Sequence, residues 1–260
     1  MKELLSLAVR AAKCAGEAIL KHYQNYTLFQ KSDKSPLTTA DLAANDEIFK
    51  ILSQTNIPIC SEESILDDDL RLNLDKFWLV DPLDGTKEFI AQNGEFCVCI
   101  ALIERGRPIL GVIYIPIKDE IFYSCIGEKL YKNDEILKPL DKSPNLFLLG
   151  KHGNSKKGLS LANSLNLEPF RIGSAIKFCI LSQNKASVYA RFGASSIWDI
   201  AAGEFLLTQS GGVLIDLKTK KPPLYNQKNL INNPFIALDS NSLNLLNQSF
   251  EIIEKFATTK

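Results

Sequence analysis

Histidine is scarce: His22 and His152 are the two in the chain, so chemistry built on imidazole has little to draw on. No Gly-x-Ser-x-Gly elbow occurs, which leaves a serine-hydrolase triad without its nucleophile turn. The six cysteines form no Cys-x-x-Cys and no paired zinc spacing. Most lie in apolar segments, as buried free thiols do in a reducing cytoplasm, and Cys97 and Cys99 are expected to share one strand face for packing. Neither sign of charge is in excess, because thirty basic residues cancel thirty acidic ones, so no global field draws the protein to a nucleic acid polymer. Long apolar runs are missing as well. Between Lys2 and Tyr23, Leu4, Leu5, Ala8, Ala11, Ala12, Ala15 and Ile19 recur at helical spacing, but Glu3, Arg10, Lys13 and Glu17 interrupt them. That segment reads as neither a signal peptide nor a transmembrane span. At 45% hydrophobic over 260 residues, the chain can bury a substantial core.

What is present is acid at the ends of apolar runs. Phe77-Trp78-Leu79-Val80-Asp81-Pro82-Leu83-Asp84-Gly85-Thr86-Lys87 reads as a buried strand delivering two carboxylates into a turn. Pro82 is expected to stop the strand, and Gly85 to permit a tight entry into a helix beginning near Thr86. Asp81 and Asp84 offer hard oxygen ligands for Mg²⁺, and the new helix start offers unpaired N–H groups to phosphate. Ile57 to Glu63 reads as a second short strand ending in Glu62 and Glu63. Ser195 to Asp199 leads into a helical run from Ile200 to Leu207, so Asp199 is both a natural N-cap and a candidate ligand. Asp41 heads another helical stretch, Leu42 to Phe49. Asp67-Asp68-Asp69 reads as a solvated loop of like charges.

Ser61-Glu62-Glu63-Ser64, Asp81-Pro82-Leu83-Asp84-Gly85-Thr86-Lys87-Glu88-Phe89 and Trp198-Asp199-Ile200-Ala201-Ala202-Gly203, in that order, resemble the inositol monophosphatase superfamily of lithium-sensitive, Mg²⁺-dependent phosphatases. Lys87-Glu88-Phe89, Asn93-Gly94-Glu95-Phe96 and Ile172 to Cys179 resemble its CysQ branch, the 3'(2'),5'-bisphosphate nucleotidases. The resemblance implies that Glu62, Asp81 and the Leu83 carbonyl hold one metal, and that Asp81, Asp84 and Asp199 hold a second, among two or three Mg²⁺ ions. It makes Thr86 and Glu62, with Asp41 behind them, the groups that orient an attacking water. Such ions sit about 3.5–4 Å apart, clamp both ends of an in-line displacement and require no phosphoenzyme.

For substrate, the resemblance implies contacts from Gly85, Thr86, His152, Ser174, Lys177, Arg191 and Asp199. Arg191 can grip a phosphate through two donors, and Lys177 adds a point charge. Both also read as ordinary solvated cations, and His152 equally as loop surface. Lys151 stands where the family often has serine before that histidine, and Ala175 replaces a serine common in the Ser174 loop. The implied substrate is adenosine 3',5'-bisphosphate, with its phosphosulfate analogue as a second. Inositol monophosphate or fructose 1,6-bisphosphate hydrolysis on the same metals is the rival reading, and a non-catalytic nucleotide-binding protein is a rival of another class.

The expected fold is α/β, a layered α/β/α/β/α sugar-phosphatase architecture. Residues 1–140 are expected to form an α+β half with most metal ligands, and 141–260 an α/β half with Asp199 and the nucleotide pocket. Helices are expected over about 2–23 and 40–54, then an antiparallel meander through Cys97–Ile103, Gly111–Ile115 and Ile121–Cys125, then strands at Leu146, Phe170, Ser187 and Val213. A small-molecule nucleotide partner, a monomer or homodimer, and a cytoplasmic location, with peripheral association at the inner membrane left open, complete the expectations.

Overall fold

A computed structural model describes residues 1–31, 34–152 and 155–258. The chain opens with α1 (Lys2–His22), whose buried stripe is Leu5, Ala8, Ala11, Ala12, Ala15 and Ile19, as its spacing predicts. A two-stranded ribbon, β1 (Leu28–Gln30) with β2 (Pro36–Thr38), leads to α2 (Thr39–Leu52). There follow β3 (Ile59–Ser61), α3 (Asp68–Leu72), β4 (Lys76–Asp84) and α4 (Thr86–Ile90), then β5 (Cys97–Glu104), β6 (Arg107–Ile115), β7 (Glu120–Cys125), β8 (Tyr131–Lys132) and β9 (Glu135–Ile136). Strands β3 to β9 form a seven-stranded sheet in sequence order, parallel at β3–β4 and antiparallel elsewhere.

The remainder comprises β10 (Leu146–Leu149), α5 (Lys156–Ser164), β11 (Glu168–Arg171), α6 (Ile176–Ser182), β12 (Val188–Arg191), α7 (Ala201–Gln209), β13 (Val213–Asp216), β14 (Phe235–Leu238) and α8 (Leu245–Thr258). Its five strands are ordered β11-β10-β12-β14-β13. The sequence reading missed β14, which is inserted between β12 and β13 after a long connection. All four of its residues are buried, so it has no polar alternation to announce it.

Alternation along β4 and β5 sorts the core. Trp78, Val80, Val98 and Ile100 pack with Ala8, Ile19, Ile48 and Leu52 of the first two helices. Phe77, Leu79, Cys97, Cys99 and Ala101 face the other way, toward Phe178, Phe205, Tyr189 and Phe235. Helices α5 and α8 cover the far face of the second sheet around Phe147, Leu161 and Ile236. The order is therefore α/β/α/β/α, as expected. Close approach of α7 to β6 depends on Gly111, where a Cβ would lie 2.8 Å from the Ala202 carbonyl oxygen.

Two local expectations need correction. Strand β4 runs through Pro82 to Asp84, because Pro82 falls in an irregularity of the β4–β5 register between Asp81 and Asp84, where its missing donor is not needed. The Asp67-Asp68-Asp69 run is not a loop. Asp67 accepts the Asp69 N–H and begins α3, and Asp68 pairs at 2.8 Å with Arg71, which is buried against the Gln227 and Lys228 carbonyls.

Candidate active site

The period-two alternation that sends Phe77 and Leu79 inward continues to Asp81, the first acid of the site. Asp84 follows on the same strand. Glu62 lies in the turn after β3, which the parallel β3–β4 pairing holds beside β4, its N–H donating to the Val80 carbonyl at 3.0 Å. Asp199 closes a 3-10 turn, Ile197–Asp199. It is not the N-cap of α7 expected from sequence: Ile200 holds that position without a side-chain cap, while Ser196 caps the 3-10 turn and its N–H donates to the Asp199 carboxylate at 3.1 Å. All four acids line a cleft of about 390 Å³, together with Leu83, Gly85, Thr86, His152, Ser174, Lys177 and Arg191.

The carboxylates crowd one another. Burial raises Asp81 well above the usual aspartate range, and the charges of Glu62, Asp84 and Asp199 add to the shift. Burial likewise moves Asp84 up to about 6, with Lys177 opposing, and Asp199 up to about 7, where Asp84 repels and Arg191 opposes. Their close partners are backbone N–H groups: Leu83 to Asp81 at 3.1 Å, Ser196 to Asp199, and Ala175 to Asp84. Clustered carboxylate oxygens beside the Leu83 carbonyl, repelling one another, are a donor set that suits a hard divalent cation of the Mg²⁺ type.

Thr86 and Asp41 form the back of the site. Asp41 is buried and closes a capping box on α2, one oxygen accepting from the Thr38 N–H at 2.7 Å and hydroxyl at 2.6 Å. Its other oxygen accepts from the Thr86 hydroxyl at 3.0 Å. Asp41 thus meets the cleft through Thr86. Gly85 has φ +98°, a turn that glycine makes without strain, and it leaves the start of α4 without a side-chain cap.

Sequence reasoning overlooked Lys31. Its ammonium lies 2.6 Å from Glu62 and 2.7 Å from Glu63. Burial disfavours the Lys31 charge, but the two glutamates outweigh it and hold the group protonated. Burial moves Glu63 up to about 7, with Lys31 opposing. No motif reveals this pairing, since Lys31 reaches the site from the β1–β2 ribbon.

In the same cleft, Lys177 is buried rather than solvated, its ammonium donating to the Ser174 and Ile172 carbonyls and lying 5.2 Å from the Tyr189 ring centre. Arg191 folds back on the Ala194 carbonyl through Nε at 3.1 Å and Nη2 at 2.6 Å. Ser174 has φ +50°, the turn that brings the Ala175 N–H to Asp84. His152 Nε2 lies 3.3 Å from Glu88, a buried acid over which Gly173 passes so closely that a Cβ would sit 2.6 Å from it. Glu95 accepts the Gly173 N–H at 2.7 Å and pairs with Lys151 at 2.8 Å. Glu88 and Glu95 stood in plain view inside the motifs but were read only as signatures.

A model described as the inositol monophosphatase family matches residues 1–254. The chain belongs to the inositol monophosphatase family. Among curated relatives, the 3'(2'),5'-bisphosphate nucleotidase CysQ of Shigella flexneri is 36% identical over 241 residues, covering 89% of this chain and 97% of the relative. CysQ of Buchnera aphidicola is 38% identical over 222 residues, covering 81% and 83%. The crystal structure of CysQ from Bacteroides thetaiotaomicron matches with a TM-score of 0.81 at 34% identity, over 91% of this chain and 97% of that one. An inositol monophosphatase of Thermotoga maritima, at 19% identity and a TM-score of 0.82, shares the fold. Membership in the inositol monophosphatase family carries metal-dependent phosphatase chemistry, which the oxygen donors around Asp81 fit.

Proposed function

We propose that the chain hydrolyses the 3'-phosphate of adenosine 3',5'-bisphosphate to give AMP and phosphate, with 3'-phosphoadenosine 5'-phosphosulfate as a second substrate. The observation that carries the reading is one cleft lined by Glu62, Asp81, Asp84 and Asp199 together with Lys177 and Arg191, a combination of metal-binding acids and cations suited to a ligand bearing two phosphates. We assign Glu62, Asp81 and the Leu83 carbonyl to one Mg²⁺, and Asp81, Asp84 and Asp199 to a second. Bound there, Mg²⁺ lowers the pKa of a coordinated water and offsets charge on the departing oxygen.

The chain's own groups do the rest. Because the Thr86 hydroxyl proton is directed to Asp41, its oxygen keeps lone pairs for the attacking water and fixes that water's direction. Asp41 is a positioning residue acting through Thr86. Lys31 meets Glu62 through Oε1, which leaves Oε2 to serve as a ligand while the ammonium stays between Glu62 and Glu63. Ser174, Lys177, Arg191 and His152 are assigned to the nucleotide, and since the Lys177 ammonium already serves two carbonyls of its own loop, it acts through loop shape as well as charge. Six free thiols fit a cytoplasmic location. No helix among the described residues is long and apolar enough to cross a membrane.

The test is phosphate release from adenosine 3',5'-bisphosphate, inositol 1-phosphate and fructose 1,6-bisphosphate, with Mg²⁺ and with chelator. Strong Mg²⁺-dependent preference for the nucleotide supports the reading. Preference for a sugar phosphate keeps the metal roles and removes the nucleotide assignment, and solvent ¹⁸O entering the ribose hydroxyl rather than phosphate would sink the water attack.

A further inference from the structure

Cys97 and Cys99 play no part in this mechanism, yet they stand directly beneath its acids. The β4–β5 register places Cys99 opposite Asp81 and Cys97 opposite Asp84. Their side chains share the inward face of β5, with the two sulfurs 3.8 Å apart, and Cys97 Sγ is 3.9 Å from Asp84 Oδ2. One atom from each of the three residues falls within 4.8 Å of the others. The Ser174 hydroxyl lies 3.6 Å from Cys97 Sγ.

We propose that Cys97, Cys99 and Asp84 form a site for a thiophilic divalent cation, Zn²⁺ or Cd²⁺, beneath the hard-oxygen cluster. A tetrahedral ion with Zn–S bonds of about 2.3 Å holds two thiolates about 3.8 Å apart, which is the separation these sulfurs already have. Soft sulfur donors select such ions against Mg²⁺, whereas carboxylates accept both. A disulfide fits worse, because residues i and i+2 of one strand are spaced by two rises of about 3.4 Å, at the upper limit of Cα separations for a bridge. Binding releases the two thiol protons to solvent, and Ser174 or a water completes the ion's shell. Asp84 opens on the cleft, so the ion enters there and draws this carboxylate away from Mg²⁺. The site is then inhibitory. That last consequence rests on the role assigned to Asp84 under the proposed function, while binding itself does not.

The experiment is titration of the metal-free protein with Cd²⁺, read by ultraviolet sulfur-to-cadmium charge-transfer absorption, in a Cys14→Ser background that removes the one cysteine that is not fully buried. One equivalent should give a saturable band that is lost in Cys97→Ser and in Cys99→Ser. Cys99→Val, which keeps the packing volume, should lose it as well, with thermal melting reporting that each variant is folded. Cd²⁺ should inhibit Mg²⁺-supported phosphate release at concentrations at least about tenfold lower in the parent than in Cys97→Ser. No band, or a band unchanged in a folded Cys97→Ser/Cys99→Val double variant, overturns the site. A band present in a protein that releases no phosphate from any substrate with Mg²⁺ upholds the site and removes the phosphatase reading instead.

Discussion

Glu204 on α7 and the Asp81, Asp84 and Asp199 group are acids withdrawn from water in the same chain, completed in opposite ways. Glu204 accepts from Arg107 on one oxygen and from the buried Tyr225 hydroxyl, at 2.6 Å, on the other. Burial still raises its pKa, but Arg107 and Tyr225 pull it back. The three aspartates repel one another and hydrogen-bond to backbone N–H groups, and although Lys177 and Arg191 oppose by charge, neither forms an ion pair with them among the described residues. A buried charge that is paired and hydrogen-bonded belongs to the fold, while a group of like charges left facing a cleft is unfinished without a cation. That contrast separates structural acid from functional acid more sharply than burial alone.

The comparison can be broken most decisively at Asp84. Asp84→Asn should cut Mg²⁺-dependent turnover on the order of 10²–10³-fold and, measured without metal, raise Tm, because it removes one of the mutually repelling charges. Lower stability together with normal turnover would place Asp84 with Glu204. Arg107→Met should do the reverse, leaving Glu204 buried with one partner. The cost expected in urea unfolding is about 3 kcal/mol, the lower end of the usual range because the Arg107 side chain is 36% exposed, with kcat unchanged in the folded fraction.

A pH series sharpens the same contrast. Asp84 and Asp199 have folded pKa values of about 6 and about 7, raised above the unfolded ones. Between about pH 4 and 7 the native state therefore holds more protons than the unfolded chain, and stability falls as pH rises. By linkage, metal-free protein should lose on the order of 5 kcal/mol across that window, about 10–20 °C in Tm, and saturating Mg²⁺ should abolish the slope. A slope that persists with Mg²⁺ would assign the titration elsewhere. The smallest effect is expected from Tyr225→Phe, which removes one hydrogen bond from Glu204 and should cost about 1–1.5 kcal/mol with kcat/KM unchanged.

Much of the site was legible because it is written on strand and helix ends. Asp81, Asp84, Glu62 and Asp199 each terminate an apolar run, and such runs have a period that can be read. Strand β14 was not legible, since four residues buried on both faces carry no alternation. Lys31, Glu88 and Glu95 were missed for a different reason: each meets the site through a partner remote in sequence, Lys31 through Glu62, Glu88 through His152 and Glu95 through Gly173. Lys177 looked like a surface cation until the loop carbonyls that bury it were in place.

Sequence by itself determined the family, the acids and the first two helices, because side-chain period, turn residues and motif order are local properties. Tertiary structure decided which charges are finished. Whether an acid pairs with Arg107, with Lys31 or with no cation depends on which strands and loops converge, and Coulomb energies between groups far apart in sequence are fixed only once the chain has folded.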